Sequence, residues 1–178
     1  PVLSRGLGDV YKRQILENIP NGFLGINVGP NKDTKNKEED YYLCLSKLHS
    51  WAGYLTINIS SPNTEGLRNF HEKKEFEKLL IGINKIREEK NILKPLAVKL
   101  SPDIDDSEIS EIIELILKYK VNGIIISNTT DRNRDNLSDF QKNEKGGLSG
   151  KPLKDLSLSL IKKFYKETKG KVQIIGVG

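Results

Sequence analysis

Cysteine occurs once in these 178 residues, and histidine twice. A lone thiol, Cys44, leaves nothing for an internal disulfide and suits a reducing compartment. It falls inside a helical pattern and reads as a small packing residue. His49 and His71, with that single cysteine, offer no metal-ligand spacing, so no metal is expected. No apolar run approaches the roughly 20 residues that span a bilayer. There is no Walker pattern and no G-x-G-x-x-G, so neither a nucleoside triphosphate nor a Rossmann dinucleotide is supported. No serine has a His–Asp partner in an obvious motif, which argues against a hydrolase triad. Excess charge of one sign is small. Lys and Arg number 29 against 24 Asp and Glu, a formal net charge of +5, and the lysines are scattered. Scattered lysine is solvated helix surface, and no nucleic-acid partner is expected.

What is present is the material of one core: 36% of residues are hydrophobic and 30% charged, over about the length of one domain. Residues 1–14 show no clean period and are expected to be a non-native or junction leader; residues 15–178 are expected to fold as the domain. The apolar run Phe23–Val28, between Asn21-Gly22 and Gly29-Pro30-Asn31, predicts a strand. Residues 38–51 predict a helix with Tyr41, Leu45 and Leu48 on one stripe, and Tyr54–Ile59 a second strand. Phe76, Leu79, Leu80, Ile83 and Ile86 recur at helical spacing. Residues 95–100 predict a third strand, stopped by Pro102, with Asp105, Asp106 and Ser107 available to cap the next helix. That helix places Ile109, Ile112, Ile113, Ile116 and Tyr119 inward. Gly123–Asn128 predicts a fourth strand. A polar loop, residues 130–145, then runs to Gly146, Gly147 and Gly150. Leu153, Leu156, Leu160 and Phe164 mark a helix that Gly170 ends, and Val172–Val177 predicts a fifth strand.

The strands read as continuous apolar runs, which points to an α/β fold with a parallel sheet covered by helices. Two architectures compete. An open doubly wound sheet places its site at one switch point. A (β/α)8 TIM barrel gathers residues from the C-terminal ends of many strands. Here the ends read Asn27, Asn58 with Ser61, Lys99, Ser127-Asn128-Thr129, and Gly176 with Gly178. Nearly every strand delivers a polar or glycine tip, so the barrel is favoured. Five strands do not close a barrel, and the expectation is an incomplete fragment covering about five of the eight strands, with others both upstream and downstream.

The strand tips carry the chemistry. Tyr54–Ile59 runs straight into Ser60, Ser61, Pro62, Asn63 and Thr64, residues that also make ordinary turns. Lys99 ends a strand otherwise built for burial. It should face an anion or a developing negative charge, unless its stem simply carries the ammonium into water. Asn27, Asn58, Asn63 and Asn128 supply amides that both donate and accept, suited to a planar heterocycle with alternating N–H and C=O groups. Gly146, Gly147 and Gly150 allow backbone N–H groups to approach a ligand closely. Ser61 could move a proton next to a carbonyl, coupled to electron transfer into a cofactor.

Six segments then stand in order: Gly25-Ile26-Asn27-Val28-Gly29-Pro30-Asn31-Lys32-Asp33-Thr34, Asn58-Ile59-Ser60-Ser61-Pro62-Asn63-Thr64, Pro95-Leu96-Ala97-Val98-Lys99-Leu100-Ser101-Pro102-Asp103, Ser127-Asn128-Thr129-Thr130, Gly146-Gly147-Leu148-Ser149-Gly150-Lys151-Pro152-Leu153 and Ile174-Ile175-Gly176-Val177-Gly178. Together they resemble the dihydroorotate dehydrogenase family, from about residue 17 to the end. The soluble, class 1 members carry a cysteine as base where this chain has Ser61, and the quinone-dependent, class 2 members carry a serine. The resemblance is therefore to class 2.

That resemblance implies a partial FMN-binding barrel domain over residues 15–178. It implies an enzyme that oxidises dihydroorotate to orotate in pyrimidine synthesis and passes electrons to a membrane quinone. By the same resemblance Ser61 is the catalytic base, with Thr64 a possible proton relay. Asn58, Asn63, Asn128 and Thr129 bind substrate, and Asn27, Asn58, Lys99, Ser127 and Gly150 hold FMN. Ser127 stands where the family has threonine. The expected location is membrane-associated, on the cytoplasmic side of the bacterial inner membrane or at the mitochondrial inner membrane, through an N-terminal segment absent from this sequence. The fragment alone is expected to be inactive. The alternatives are another FMN barrel, such as a tRNA dihydrouridine synthase, and a barrel relic that only binds a ligand or partner. The first also uses a cysteine acid, and none lies near Ser61.

Overall fold

The computed structural model describes residues 23–62, 64, 66–132, 134, 137 and 146–177. Asn63, Gly178 and the proposed leader, residues 1–14, lie outside them, as does most of the polar loop after residue 132.

Five parallel strands form one sheet: β1 (Gly25–Val28), β2 (Tyr54–Asn58), β3 (Leu96–Lys99), β4 (Gly123–Ile126) and β5 (Gln173–Gly176). Four α-helices alternate with them: α1 (Lys37–Leu48), α2 (Lys73–Glu89), α3 (Asp106–Lys118) and α4 (Lys151–Thr168). The spatial order of the strands is their order in the chain. That settles the architecture. A doubly wound sheet reverses direction at a switch point, whereas here every crossover steps the same way. Right-handed crossovers then lay all the helices on one face, where α1 packs on α2, α2 on α3 and α3 on α4. The fold is five of the eight strands of a (β/α)8 barrel.

Periodicity explains each helix. Phe76, Leu79, Leu80 and Ile83 of α2 are buried without residue, and Ile109, Ile112, Ile113 and Ile116 of α3 form the matching stripe. The carboxylate of Glu108 accepts from Asp105 N at 2.7 Å, which closes the start of α3. Lys169 and Gly170 both take left-handed φ, 52° and 70°, and end α4. Two short 3-10 helices are additions to the sequence reading: His49–Trp51, and Leu67–His71 in the loop after β2. The second was hidden because Leu67 and Phe70, though buried, are too few to show a period.

The strands correct one expectation in part. β3 and β4 are buried along nearly their whole length, as continuous apolar runs should be, but β1 alternates exposed and buried, and β5 is largely exposed. Register shows why. Ile26, Val28, Leu55, Ile57, Leu96, Val98, Ile124 and Ile126 join the helix-side core. Their alternates, Asn27, Thr56, Ala97, Gly123 and Gln173, form a row across the opposite face. One more row, Asn58, Lys99, Ile125 and Ile175, lies two residues nearer the C-terminal ends. This second face is the inner face of the barrel.

Candidate active site at the strand ends

Asn58 and Lys99 are direct register partners on β2 and β3, so the amide and the ammonium stand side by side at the C-terminal edge. Lys99 is half-buried, and among the described residues it has no ion pair. Below this row Ala97 and Gly123 present almost no side chain, while Asn27 is exposed at the β1 edge. A floor of small residues under an unpaired cation and two amides fits a flat, electron-accepting ring with a negative group or developing charge.

The loops above the strands are stitched together by side chains. Asn58 Oδ1 accepts from Ser60 Oγ at 2.8 Å and from Ser60 N at 3.2 Å. Asn128 Nδ2 donates to the same Ser60 Oγ at 3.0 Å, and Asn128 Oδ1 accepts from Thr129 N at 2.8 Å. Beneath them Tyr41, fully buried on α1, donates its hydroxyl to the backbone oxygen of Asn58 at 2.6 Å. Burial first, and then the Asp40 carboxylate, push the Tyr41 phenol well above its ordinary pKa, so it is a permanent donor.

A second network ties the end of the Ser61 loop to the neighbouring strand tips. Arg68, in the 3-10 helix Leu67–His71, pairs with Asp103 after β3 at 3.0 Å and with Asp131 after β4 at 2.9 Å. It also donates to Thr129 O at 3.5 Å. Asp103 accepts from Thr130 Oγ1 at 2.5 Å, and its side chain is 2% exposed. His71 is buried in the same seam. Its Nδ1 lies 2.9 Å from Arg68 O, and its Nε2 accepts from Ser101 N at 3.4 Å. The ring is therefore neutral with the proton on Nδ1. Burial, the largest cause, and the Arg68 charge hold its pKa down at about 4, against a partial rise from the backbone bond.

That depression has a sign. The unfolded histidine binds a proton near pH 6.5 and the folded one resists until about pH 4. Stability from this group is complete above pH 6.5 and is lost as pH falls through that window, up to about 3 kcal/mol. Urea midpoints measured from pH 7 to pH 4.5 are expected to fall more steeply for the native protein than for His71→Gln. Equal slopes would show that His71 is not the group responsible.

Most of the residues expected at the site do assemble. Asn58, Ser61, Thr64, Lys99, Asn128 and Thr129 lie on the loops or strand tips of one edge, and Asn27 on the adjoining strand. Ser61 and Thr64 are partly exposed there. Thr129 packs so closely on Gly147 that a Cβ at that glycine would lie 1.7 Å from Thr129 Oγ1. The bridge Thr130–Leu148 holds these two segments together. Gly150, at φ 79°, is the residue just before α4, and among the described residues nothing lies within 4 Å of where its Cβ would be. Ser127, expected to hold FMN, follows β4 directly. It is buried, and its hydroxyl lies 2.8 Å from Ser157 Oγ on α4. Ser60, Arg68 and Asp103 were missed as site-building residues. The one available signal was their place beside strand tips, since pairing across 30 or more residues leaves no local trace.

These features define a class: a segment of a (β/α)8 barrel whose functional residues collect on the C-terminal face. The family model described as dihydroorotate dehydrogenase matches residues 4–178, and the chain belongs to that family. A dihydroorotate dehydrogenase (quinone) of Wigglesworthia glossinidia brevipalpis is 44% identical over 176 residues, covering 92% of this chain and 52% of the relative. One of Vibrio cholerae serotype O1 is 40% identical over 185 residues, covering 97% and 54%. Among solved structures, DHODH from Eimeria tenella in complex with ferulenol superposes with a TM-score of 0.88 at 32% identity, over 98% of this chain and 53% of that one. The chain thus spans about half the length of the relatives it matches. The family match begins within the segment proposed as a leader.

Proposed function

We propose that the protein carrying this barrel segment oxidises (S)-dihydroorotate to orotate in pyrimidine synthesis. FMN would be the hydride acceptor and a membrane quinone the final electron acceptor. The observation that carries the reading is the joined cluster of Asn58, Ser60, Asn128 and Thr129 beside Lys99 and next to Ser61. Membership of the family and the names of its quinone-dependent relatives support it, and they leave the dihydrouridine synthase alternative without a motif of its own.

FMN, when bound, would supply the two-electron sink for the hydride that leaves C6 of the substrate. Ser61 removes the C5 proton as the C5=C6 double bond forms, and its own hydroxyl proton passes to Thr64 or to water. Asn58, Asn63, Asn128 and Thr129 hold the substrate's amide and carboxylate groups. Asn27, Asn58, Lys99 and Gly150 hold the cofactor, and the Lys99 charge offsets negative charge arriving on the ring. Ser127, whose hydroxyl lies 2.8 Å from Ser157 Oγ, would hold FMN as well. A quinone acceptor places the enzyme at a membrane surface, the bacterial inner membrane on its cytoplasmic side or the mitochondrial inner membrane. Among the described residues no helix is long and apolar enough to cross one.

Anaerobic addition of dihydroorotate to the complete flavoprotein is expected to bleach its visible absorbance. A soluble quinone should restore it, and NADH should change nothing. A flavin that ignores dihydroorotate would overturn the assignment of substrate.

A further inference from the structure

We infer that Ser60, and not only the residues that touch substrate, decides what this site accepts, as the positioning residue that sets the polarity of two amides. The inference rests on the proposed function and deepens it. Ser60 is fully buried, so it does not meet a ligand itself. Its hydroxyl nevertheless joins Asn58, at the tip of β2, to Asn128, after β4, across the end of β3.

The directions of the bonds follow from donor counting. Thr129 N donates to Asn128, so the atom it meets is the carbonyl Oδ1 and the other end of that amide is NH2. The NH2 lies on Ser60 Oγ, which therefore accepts. The single O–H of Ser60 is left to donate to Asn58, and Ser60 N donates to the same Asn58 oxygen. Asn58 is thus held with its carbonyl turned into the protein and both N–H donors turned away from it. Asn128 keeps one N–H beyond the bond to Ser60. The site presents donors, and it selects a ligand whose facing atoms are acceptors: ring carbonyls or a carboxylate. Without the hydroxyl, Asn128 Nδ2 loses its acceptor, and either amide can turn over and present its oxygen instead.

The test is the affinity of orotate, read from the shift it causes in flavin absorbance, in the complete enzyme and in Ser60→Ala, Asn128→Ala and the double variant. Ser60→Ala is expected to weaken orotate about 5- to 10-fold, the worth of one neutral hydrogen bond. FMN should remain bound, and the melting temperature should fall by only a few degrees. In the Asn128→Ala background the same change is expected to cost less, because only Asn58 is left for the hydroxyl to act through. Ser60→Cys, close in size and with a weaker donor, should fall between the native protein and Ser60→Ala, and it serves if the alanine variant does not fold. An orotate affinity within 2-fold of native in Ser60→Ala, or an equal loss in both backgrounds, would overturn the inference. A native flavin that does not respond to orotate at all would instead overturn the proposed function and this inference with it.

Discussion

Ser61→Ala is expected to slow reduction of the flavin by dihydroorotate by about 10²- to 10⁴-fold, the range a positioned general base contributes. FMN should stay bound, because the floor of Ala97, Gly123 and Lys99 is built on β3 and β4. Orotate should still bind, because Ser60 holds the amides of Asn58 and Asn128. The loss therefore falls on the rate of the chemical step. The physical reason is that Ser61 sits on the loop directly after β2, partly exposed above the strand ends, where a substrate over the Asn58–Lys99 row would present its C5 proton. Ser61→Cys should recover part of the rate and move the pH profile to lower pH, since a thiol ionises near pH 8.5 and an alcohol does not. Rapid-mixing absorbance under anaerobic conditions measures both. Reduction of the alanine variant at the native rate would remove Ser61 from the role of base and leave it a turn residue.

Asp103→Ala is expected to cost about 3 kcal/mol of stability, the lower end of the range for breaking a buried ion pair. The lower end applies because Arg68 is a quarter exposed and keeps Asp131 as a partner. What is lost is more than the pair. Asp103 also accepts from Thr130 Oγ1 and, at 3.4 Å, from Asp131 N, so three groups lose their acceptor together. Arg68 Nε is already buried without a partner among the described residues. Asp103→Asn keeps an acceptor for Thr130 and should cost less, about 1–2 kcal/mol. Urea unfolding of the complete enzyme reads the difference. A midpoint for Asp103→Ala indistinguishable from native would mean that the tie between the loops after β2, β3 and β4 carries no net stability.

The order of elements was legible because it rests on local pattern. The i, i+3, i+4 spacing of Phe76, Leu79, Leu80 and Ile83, and the apolar runs after Gly53 and Gly123, describe helix and strand without any distant partner. So did the strand tips, since a residue such as Lys99 or Asn58 is at the end of its strand wherever the strand packs. What pattern could not show was the partner of each tip. The Ser127 hydroxyl meets Ser157, thirty residues later. Ser60 read as one polar residue in a turn and proves to be the shared partner of two strand ends. β1 reads as one apolar run because Ile26 and Val28 dominate it, although Asn27 between them lies on the other, inner face.

The sequence by itself determined that strands and helices alternate, which residues stand at the C-terminal tips, and, through six ordered motifs, the family. These depend on short-range sterics and hydrophobic period, which a linear chain displays. The tertiary structure alone decided that the sheet is singly wound, that Asn58 lies beside Lys99, and that the amides present donors. It alone decided that a neutral His71 and the Arg68–Asp103 pair close the seam behind them. Those facts depend on which groups meet across 30 to 70 residues of chain, and on burial, which makes a hydrogen-bond partner obligatory only once water has been excluded.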